Sequence, residues 1–131
     1  MDKETEILAK TIYGEARGEG LSGMEAIANV IMNRVHKKSW WGKTISEVCL
    51  KPKQFSCWNE NDPNAKLIKG DLTKDSVFRV CCRIAKRAIK GLLPDITKGS
   101  THYHALSVNP AWANRLVPNA QIGNHLFYTC N

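Results

Sequence analysis

The chain has 131 residues, enough for one domain with a single modest core, and 43% of them are hydrophobic, which excludes a disordered polymer. Its 19 Lys and Arg against 12 Asp and Glu give a net charge of +7. That charge suits a polyanionic partner without choosing among nucleic acid, anionic lipid and bacterial envelope polymers. The five Cys are odd in number and form no C-x-x-C pair, so reduced, mostly buried thiols are expected rather than a disulfide framework or a zinc ribbon.

The start, Met1 to Glu6, is charged and does not resemble a signal peptide. No apolar run approaches the ~20 residues that span a bilayer, so synthesis in the cytoplasm without membrane insertion is expected. A first helix is predicted from Lys3 to Arg17, with Leu8, Ile12 and Ala16 on one face and Gly18 and Gly20 ending it. A second is predicted from Ser22, where Ser22 and Glu25 match a capping box, to His36–Lys38, cations that suit the helix C-terminus. Trp40 to Gly42 reads as a loop, and Thr44 with Glu47 as a capping box opening a short helix through Cys49.

Residues 51–71 are rich in Pro, Asn, Asp, Gly and Lys and read as one long loop. A fourth helix is predicted from Lys74 to Lys90, ended by Gly91 and Pro94. Beyond Pro94 the helical period is lost. Residues 101–104 and 125–128 alternate as two short strands, joined by a loop holding Pro110, Trp112 and Pro118. The expected class is therefore α+β, mainly α-helical, as a single domain over residues 1–131 with a small β or extended region near the C-terminus.

Glu15 lies on or beside the apolar stripe of the first helix. A carboxyl against apolar surface resists ionisation, which is what a general acid near neutral pH requires. From spacing alone, an ion pair with Lys10, Arg17 or Arg34 at a helix end is the favoured reading of Glu15. Glu19 follows one turn later, as a second carboxylate or a solvated loop charge. Gln54, Phe55, Ser56, Cys57, Trp58 and Asn59 mix hydrogen-bonding groups with flat rings, the combination that binds sugars and also the one that pins a loop to a core. His102 and His104 share one face of a strand, and with His125 they make a conceivable zinc triad, although no known zinc spacing accompanies them. P-loop, G-x-G-x-x-G and G-x-S-x-G motifs are absent from the sequence. Lys and Arg are dispersed rather than blocked, so no nucleic-acid arm is visible.

The segments Ala9–Glu19 and Ala26–Val35, then 54–58 with 62–64, then 101–104, Pro110-x-Trp112 and 122–128, resemble the SleB-like, spore-cortex-lytic cell wall hydrolase family, in order and over nearly the whole chain. The resemblance implies a lysozyme-like catalytic domain that cleaves peptidoglycan between N-acetylmuramic acid and N-acetylglucosamine, with Glu15 as catalytic acid. It implies a glycan groove lined by Gln54, Phe55, Ser56 and Tyr103, to which Glu19, Trp58, His104 and His125 are added as candidate substrate contacts. Without a signal peptide or wall-binding domain, the chain is similar to stand-alone members such as phage endolysins, which a holin releases to the wall. A monomer acting on glycan strands, with no metal or organic cofactor and no nucleic-acid partner, is expected.

The likeness to lysozyme-like enzymes with one essential Glu implies lytic transglycosylation, in which the sugar's own 6-hydroxyl closes onto the anomeric carbon; a placed second carboxylate would favour hydrolysis. Two rivals stand beside this reading: a zinc amidase or peptidase using His102, His104 and His125, and a noncatalytic basic module binding polyanions.

Overall fold

A computed structural model of the chain describes residues 1–130. Its helices are α1 (Lys3–Ala16), α2 (Gly20–Lys37), α3 (Ile45–Leu50), α4 (Pro63–Lys69) and α5 (Ser76–Ile89). Its strands are β1 (His102–Ala105), β2 (Ala120–Ile122) and β3 (His125–Tyr128), and single 3-10 turns occupy Ser56–Trp58 and Ala111–Ala113.

α1 is the central helix. Asp2 Oδ1 caps it by accepting from the Thr5 amide at 2.8 Å, and Glu4 and Glu6 suit its positive end. Leu8, Ala9, Ile12 and Ala16 are buried as the period requires, with Thr5 beside them, but so are Ile7, Thr11, Tyr13 and Gly14 on its other faces. α2, α3, α4 and α5 all pack on it, so a stripe wide enough for one partner is widened by small and hydroxylated residues. Each large aliphatic side chain removed from water here contributes about 1.5–3 kcal/mol. The hydroxyl of Thr11 is satisfied inside this core: it donates to the Ile7 carbonyl at 2.8 Å and accepts from the Trp58 indole at 2.9 Å.

α2 begins at Gly20, two residues before the predicted start, so Ser22 lies inside the helix and the Ser22–Glu25 capping box does not form. Gly20 takes a left-handed φ of 77°, which lets the chain turn directly from α1 into α2. The Thr44–Glu47 box does form on α3: Thr44 Oγ1 accepts from the Glu47 amide at 3.1 Å, and Glu47 Oε1 from the Thr44 amide at 3.2 Å. α5 starts on Asp75, whose Oδ1 accepts from the Val77 and Phe78 amides and whose Oδ2 takes the Tyr13 hydroxyl at 2.6 Å, fastening α5 to α1.

Residues 51–71 are not one loop. Asp62 Oδ1 caps α4 through the Asn64 amide at 2.8 Å, with Pro63 at the first helical position. The loop of residues 94–100 is stapled to α2. Asn29 bonds the Pro94 carbonyl and the Ile96 amide, and Asn33 bonds Asp95 and the Ser100 carbonyl. Those bonds deliver the chain into β1. The antiparallel sheet has the order β1-β3-β2, with Tyr103 opposite Phe127 and Ala105 opposite His125. β2 was not foreseen; it pairs Ala120 with Phe127 and Ile122 with His125. Phe127 carries one sheet face onto Ala26 and Val30 of α2, with Tyr103, Ala120 and Ile122 beside it.

All five Cys are free; Cys49, Cys57 and Cys81 are buried and Cys82 and Cys130 half-buried. Burial pushes the Cys49 and Cys81 thiols up to about 12, which keeps them protonated packing groups. Among the described residues, no helix is long and apolar enough to cross a membrane.

Candidate active site

Glu15 sits in the last turn of α1, half-buried. Its Oε1 accepts from the Tyr103 hydroxyl at 2.9 Å and its Oε2 from the Cys57 amide at 3.2 Å. The three cations that could have neutralised it are engaged elsewhere. Lys10 pairs with Glu6 at 3.1 Å, Arg17 bonds Asn64, and Arg34 bonds the Thr101 carbonyl at 2.7 Å. Glu15 is therefore held by hydrogen bonds to neutral donors.

The close approach of Cys57 depends on Gly14. A Cβ at position 14 would stand 2.5 Å from Cys57 Cβ and 2.7 Å from Cys57 Sγ, so only glycine lets the 56–58 turn bring its amide onto Glu15. Glycine inside a helix costs about 1 kcal/mol relative to alanine, and here that cost accompanies a backbone contact at the site. Burial, then the neighbouring Glu15 charge, pushes the Cys57 thiol up, so it remains protonated. Burial and Glu15 likewise hold the Tyr103 phenol well above its usual value, so it stays a hydroxyl.

Glu15 opens on a cleft of about 430 Å³ shared with Arg17, Glu19, Asn64, Asn124 and His125. Glu19 Oε1 lies 2.8 Å from His125 Nδ1, its one side-chain polar contact among the described residues, without the alignment of a hydrogen bond. The His125 ring also packs edge-on to Tyr103 at 5.5 Å. Glu15, Tyr103, His125 and Glu19 thus form one connected cluster, to which α1, β1, β3 and the α1–α2 turn each contribute.

The remaining predicted residues are distributed around this centre. Gln54 lines a second cleft, and its Oε1 accepts from Arg34 at 3.3 Å. Phe55 is only 2% exposed and lies under the Arg34 guanidinium rather than on a groove surface. Ser56 is exposed at the start of the 3-10 turn. Trp58 is half-buried and pinned to the core by its bond to Thr11. His104 lies on the sheet face opposite Tyr103, where Nδ1 meets the Ala105 carbonyl and Nε2 the Tyr128 hydroxyl, both at 2.8 Å.

That alternation also separates the histidines. His102 and His104 point to one face, while His125 shares the other with Tyr103, and the zinc triad is not assembled. Among the described residues no three His, Cys, Asp or Glu side chains gather in a metal-binding arrangement.

Arg34 was not singled out for the site from sequence, beyond its possible pairing with Glu15. It is 5% exposed, sits between the Trp41 and Phe55 rings at 5.4 Å from each, and binds neutral acceptors on Thr101 and Gln54. Burial lowers its pKa, yet it starts so high that the group stays charged. The sequence signal was a cation between Ile31 and Val35 on the apolar face of α2.

Two carboxyl groups, Glu15 at the end of α1 and Glu19 in the turn after it, face a cleft bordered by a small antiparallel sheet, and this defines the class: a mainly helical domain with an acidic cleft. The comparisons give the family. The sequence profile described as Cell Wall Hydrolase matches residues 18–128, and the chain belongs to that family. Glu19 lies inside that span, and Glu15 three residues ahead of it.

The chain is 38% identical over 124 residues to a spore cortex-lytic enzyme of Oceanobacillus iheyensis, covering 95% of this chain and 41% of the relative. It is 26% identical over 133 residues to the spore cortex-lytic enzyme of Halalkalibacterium halodurans, covering 99% of this chain and 35% of the relative. It therefore spans well under half the length of these relatives. The fold superposes on the catalytic domain of the Bacillus cereus SleB protein with a TM-score of 0.77 at 25% identity, covering 96% of this chain and 89% of that one. The catalytic domain of the germination-specific lytic transglycosylase SleB from Bacillus anthracis gives 0.76 at 25% identity, covering 98% of this chain and 96% of that one.

Proposed function

We propose that this chain is a peptidoglycan lytic transglycosylase that acts as a monomer on glycan strands of the cell wall, with Glu15 as its acid and base. The observation that carries this reading is the state of the two cleft carboxylates: Glu15 is held by neutral donors, whereas Glu19 is tied to His125.

The Cys57 amide can only donate, so it keeps Oε2 as an acceptor. The Tyr103 hydroxyl can donate or accept, so it can follow Oε1 through both protonation states. Protonated Glu15 gives its proton to the glycosidic oxygen as the C1–O bond breaks and positive charge develops at the muramic acid. The resulting Glu15 carboxylate then takes the proton from the sugar's 6-hydroxyl as O6 bonds to C1. The product is a 1,6-anhydro ring, no water is consumed, and Glu15 ends protonated as it began. A second carboxylate free to hold water would favour hydrolysis instead, and the contact of Glu19 with His125 argues against that role. The sequence likeness to spore cortex-lytic enzymes and the fold likeness to a lytic transglycosylase domain support the same reading.

Digestion of purified peptidoglycan by wild type and Glu15→Gln, with the released muropeptides weighed, tests it. Wild type is expected to release disaccharides lacking one water, and Glu15→Gln almost none. Products with a free reducing muramic acid would mark a muramidase, and equal release by both proteins would remove Glu15 from the reaction.

A further inference from the structure

The cleft that holds Glu15 closes at the Ala105 end of β1. At the other end, beyond His102, a larger cleft of about 690 Å³ is lined by Trp40, Lys53, Gln54, His102 and Trp112, together with Leu116, Thr129 and Cys130. β1 separates the two by about 10 Å. The 54–57 segment joins them as well: Gln54 faces the larger cleft, and three residues later the Cys57 amide reaches Glu15.

Three properties of this cleft call for a ligand. Its aromatic residues are linked in series through the buried Trp41 beneath them, Trp40 to Trp41 at 5.5 Å, Trp41 to His102 at 5.8 Å and His102 to Trp112 at 5.4 Å between ring centroids. The two ends of that series, Trp40 and Trp112, are 58% and 43% exposed, although indoles are among the side chains that gain most from burial. Among the described residues no Asp or Glu lines the cleft, while Lys53 does, so their side-chain charge is positive. His102 adds no opposing charge, because burial, then the Arg34 and Lys37 cations, lower it to about 4 and leave it neutral.

We infer that this second cleft is a carbohydrate-binding site, seating an N-acetylated sugar of the glycan strand against Trp40 and Trp112, with Lys53 taking a carboxylate that the strand carries. Flat indole faces suit the apolar face of a sugar ring, and the Gln54 amide suits an acetamido group. Arg34 holds that amide in place from beneath. The inference rests on the proposed glycan substrate and extends it: strand length, and not only the scissile bond, would be read by the protein.

The test uses the Glu15→Gln full chain, so that binding is measured without cleavage. Tryptophan fluorescence follows its titration with chitohexaose, a neutral N-acetylglucosamine oligomer, and with soluble uncrosslinked peptidoglycan strands. Added Trp40→Ala or Trp112→Ala is expected to weaken both ligands by ~10-fold or more. Added Lys53→Gln is expected to weaken the strands and spare chitohexaose. Trp40 touches only Trp41 among the described aromatic rings, so Trp40→Ala carries the test if Trp112→Ala melts early. Unchanged affinity of the Trp40→Ala variant for both ligands would overturn the site, and equal loss toward both with Lys53→Gln would overturn the role of Lys53. Failure of the catalytic reading looks different: wild type would bind strands through these tryptophans and release no anhydro product.

Discussion

The Tyr103 hydroxyl reaches Glu15 Oε1 at 2.9 Å from 88 residues farther along the chain. Its ring is fixed from two sides, stacked on Phe127 at 5.8 Å and edge-on to His125 at 5.5 Å. On the proposed mechanism Tyr103 positions the acid and stabilises the carboxylate left after proton transfer. A hydrogen bond to a charged group contributes about 1.5–3 kcal/mol, which is roughly 10–100-fold in rate. Tyr103→Phe keeps the ring contacts, so kcat is expected to fall by about that factor with KM nearly unchanged. Steady-state kinetics on soluble glycan strands measures both. A loss confined to KM would make Tyr103 a binding group instead.

Gly14 sets the second contact on Glu15. Gly14→Ala adds a Cβ that overlaps Cys57 and forces the 56–58 turn away from α1. Overpacking of this kind costs about 1–3 kcal/mol, opposed by the ~1 kcal/mol that alanine gains inside a helix. The expected result is a small change in denaturant midpoint with a loss of kcat of at least about 10-fold, since the Cys57 amide no longer reaches Oε2. Adding Cys57→Gly removes the overlapping atoms and should recover part of the activity. No recovery would mean that the turn is not what Gly14 positions.

These two contacts explain what could be read in the sequence. α1, α3 and α5 follow from local signals, such as the 3.6-residue stripe of Leu8, Ile12 and Ala16 and the Thr44–Glu47 box, which act within a turn or two. Glu15 stood out because it adjoins that stripe. Tyr103 entered as a groove residue through the family resemblance and Cys57 as part of the 54–59 segment, but their bonds to Glu15 were not legible, because they lie 88 and 42 residues away and only the packed fold brings them together. α4 was hidden by the polar composition of 51–71, although Asp62 followed by Pro63 is a helix start. β2 has only three residues and exists because β3 offers it a free edge. The start of α2 was displaced because Gly20 allows a turn that a capping pattern at Ser22 does not anticipate.

Arg34 ties together the elements that carry the site. It binds Thr101 at the entry to β1 and Gln54 at the entry to the 54–57 segment, and it fills the gap between Trp41 and Phe55. A lysine would keep the charge and lose the fork that reaches both acceptors. Leaving buried acceptors unpaired costs about 1–3 kcal/mol, so Arg34→Lys is expected to lower the melting temperature by several degrees and to reduce activity. Arg34→Met also removes the charge and should be the less stable of the two if the cation contacts to both rings contribute. Equal melting of both variants and wild type would show that neither the fork nor the charge supports the fold.

His102 makes stability depend on pH in a defined window. Burial, followed by the Arg34 and Lys37 charges, lowers its folded value from 6.5 to about 4. Between those values the unfolded chain binds a proton that the folded chain does not, so stability falls as pH falls from about 6.5 toward 4 and this contribution levels off below. His102 is only half-buried, so solvent screening reduces the effect relative to a fully enclosed imidazole. His102→Gln keeps a polar side chain on Trp41 and Trp112 but cannot take up the proton. Its melting temperature is expected to drop less than that of wild type between pH 7 and pH 4. Asp75, lowered by its bond to Tyr13, also loses its contribution on acidification, but equally in both proteins, so the difference between the two melting curves isolates His102. Parallel curves across the whole range would show that the imidazole titrates alike in the folded and unfolded chain.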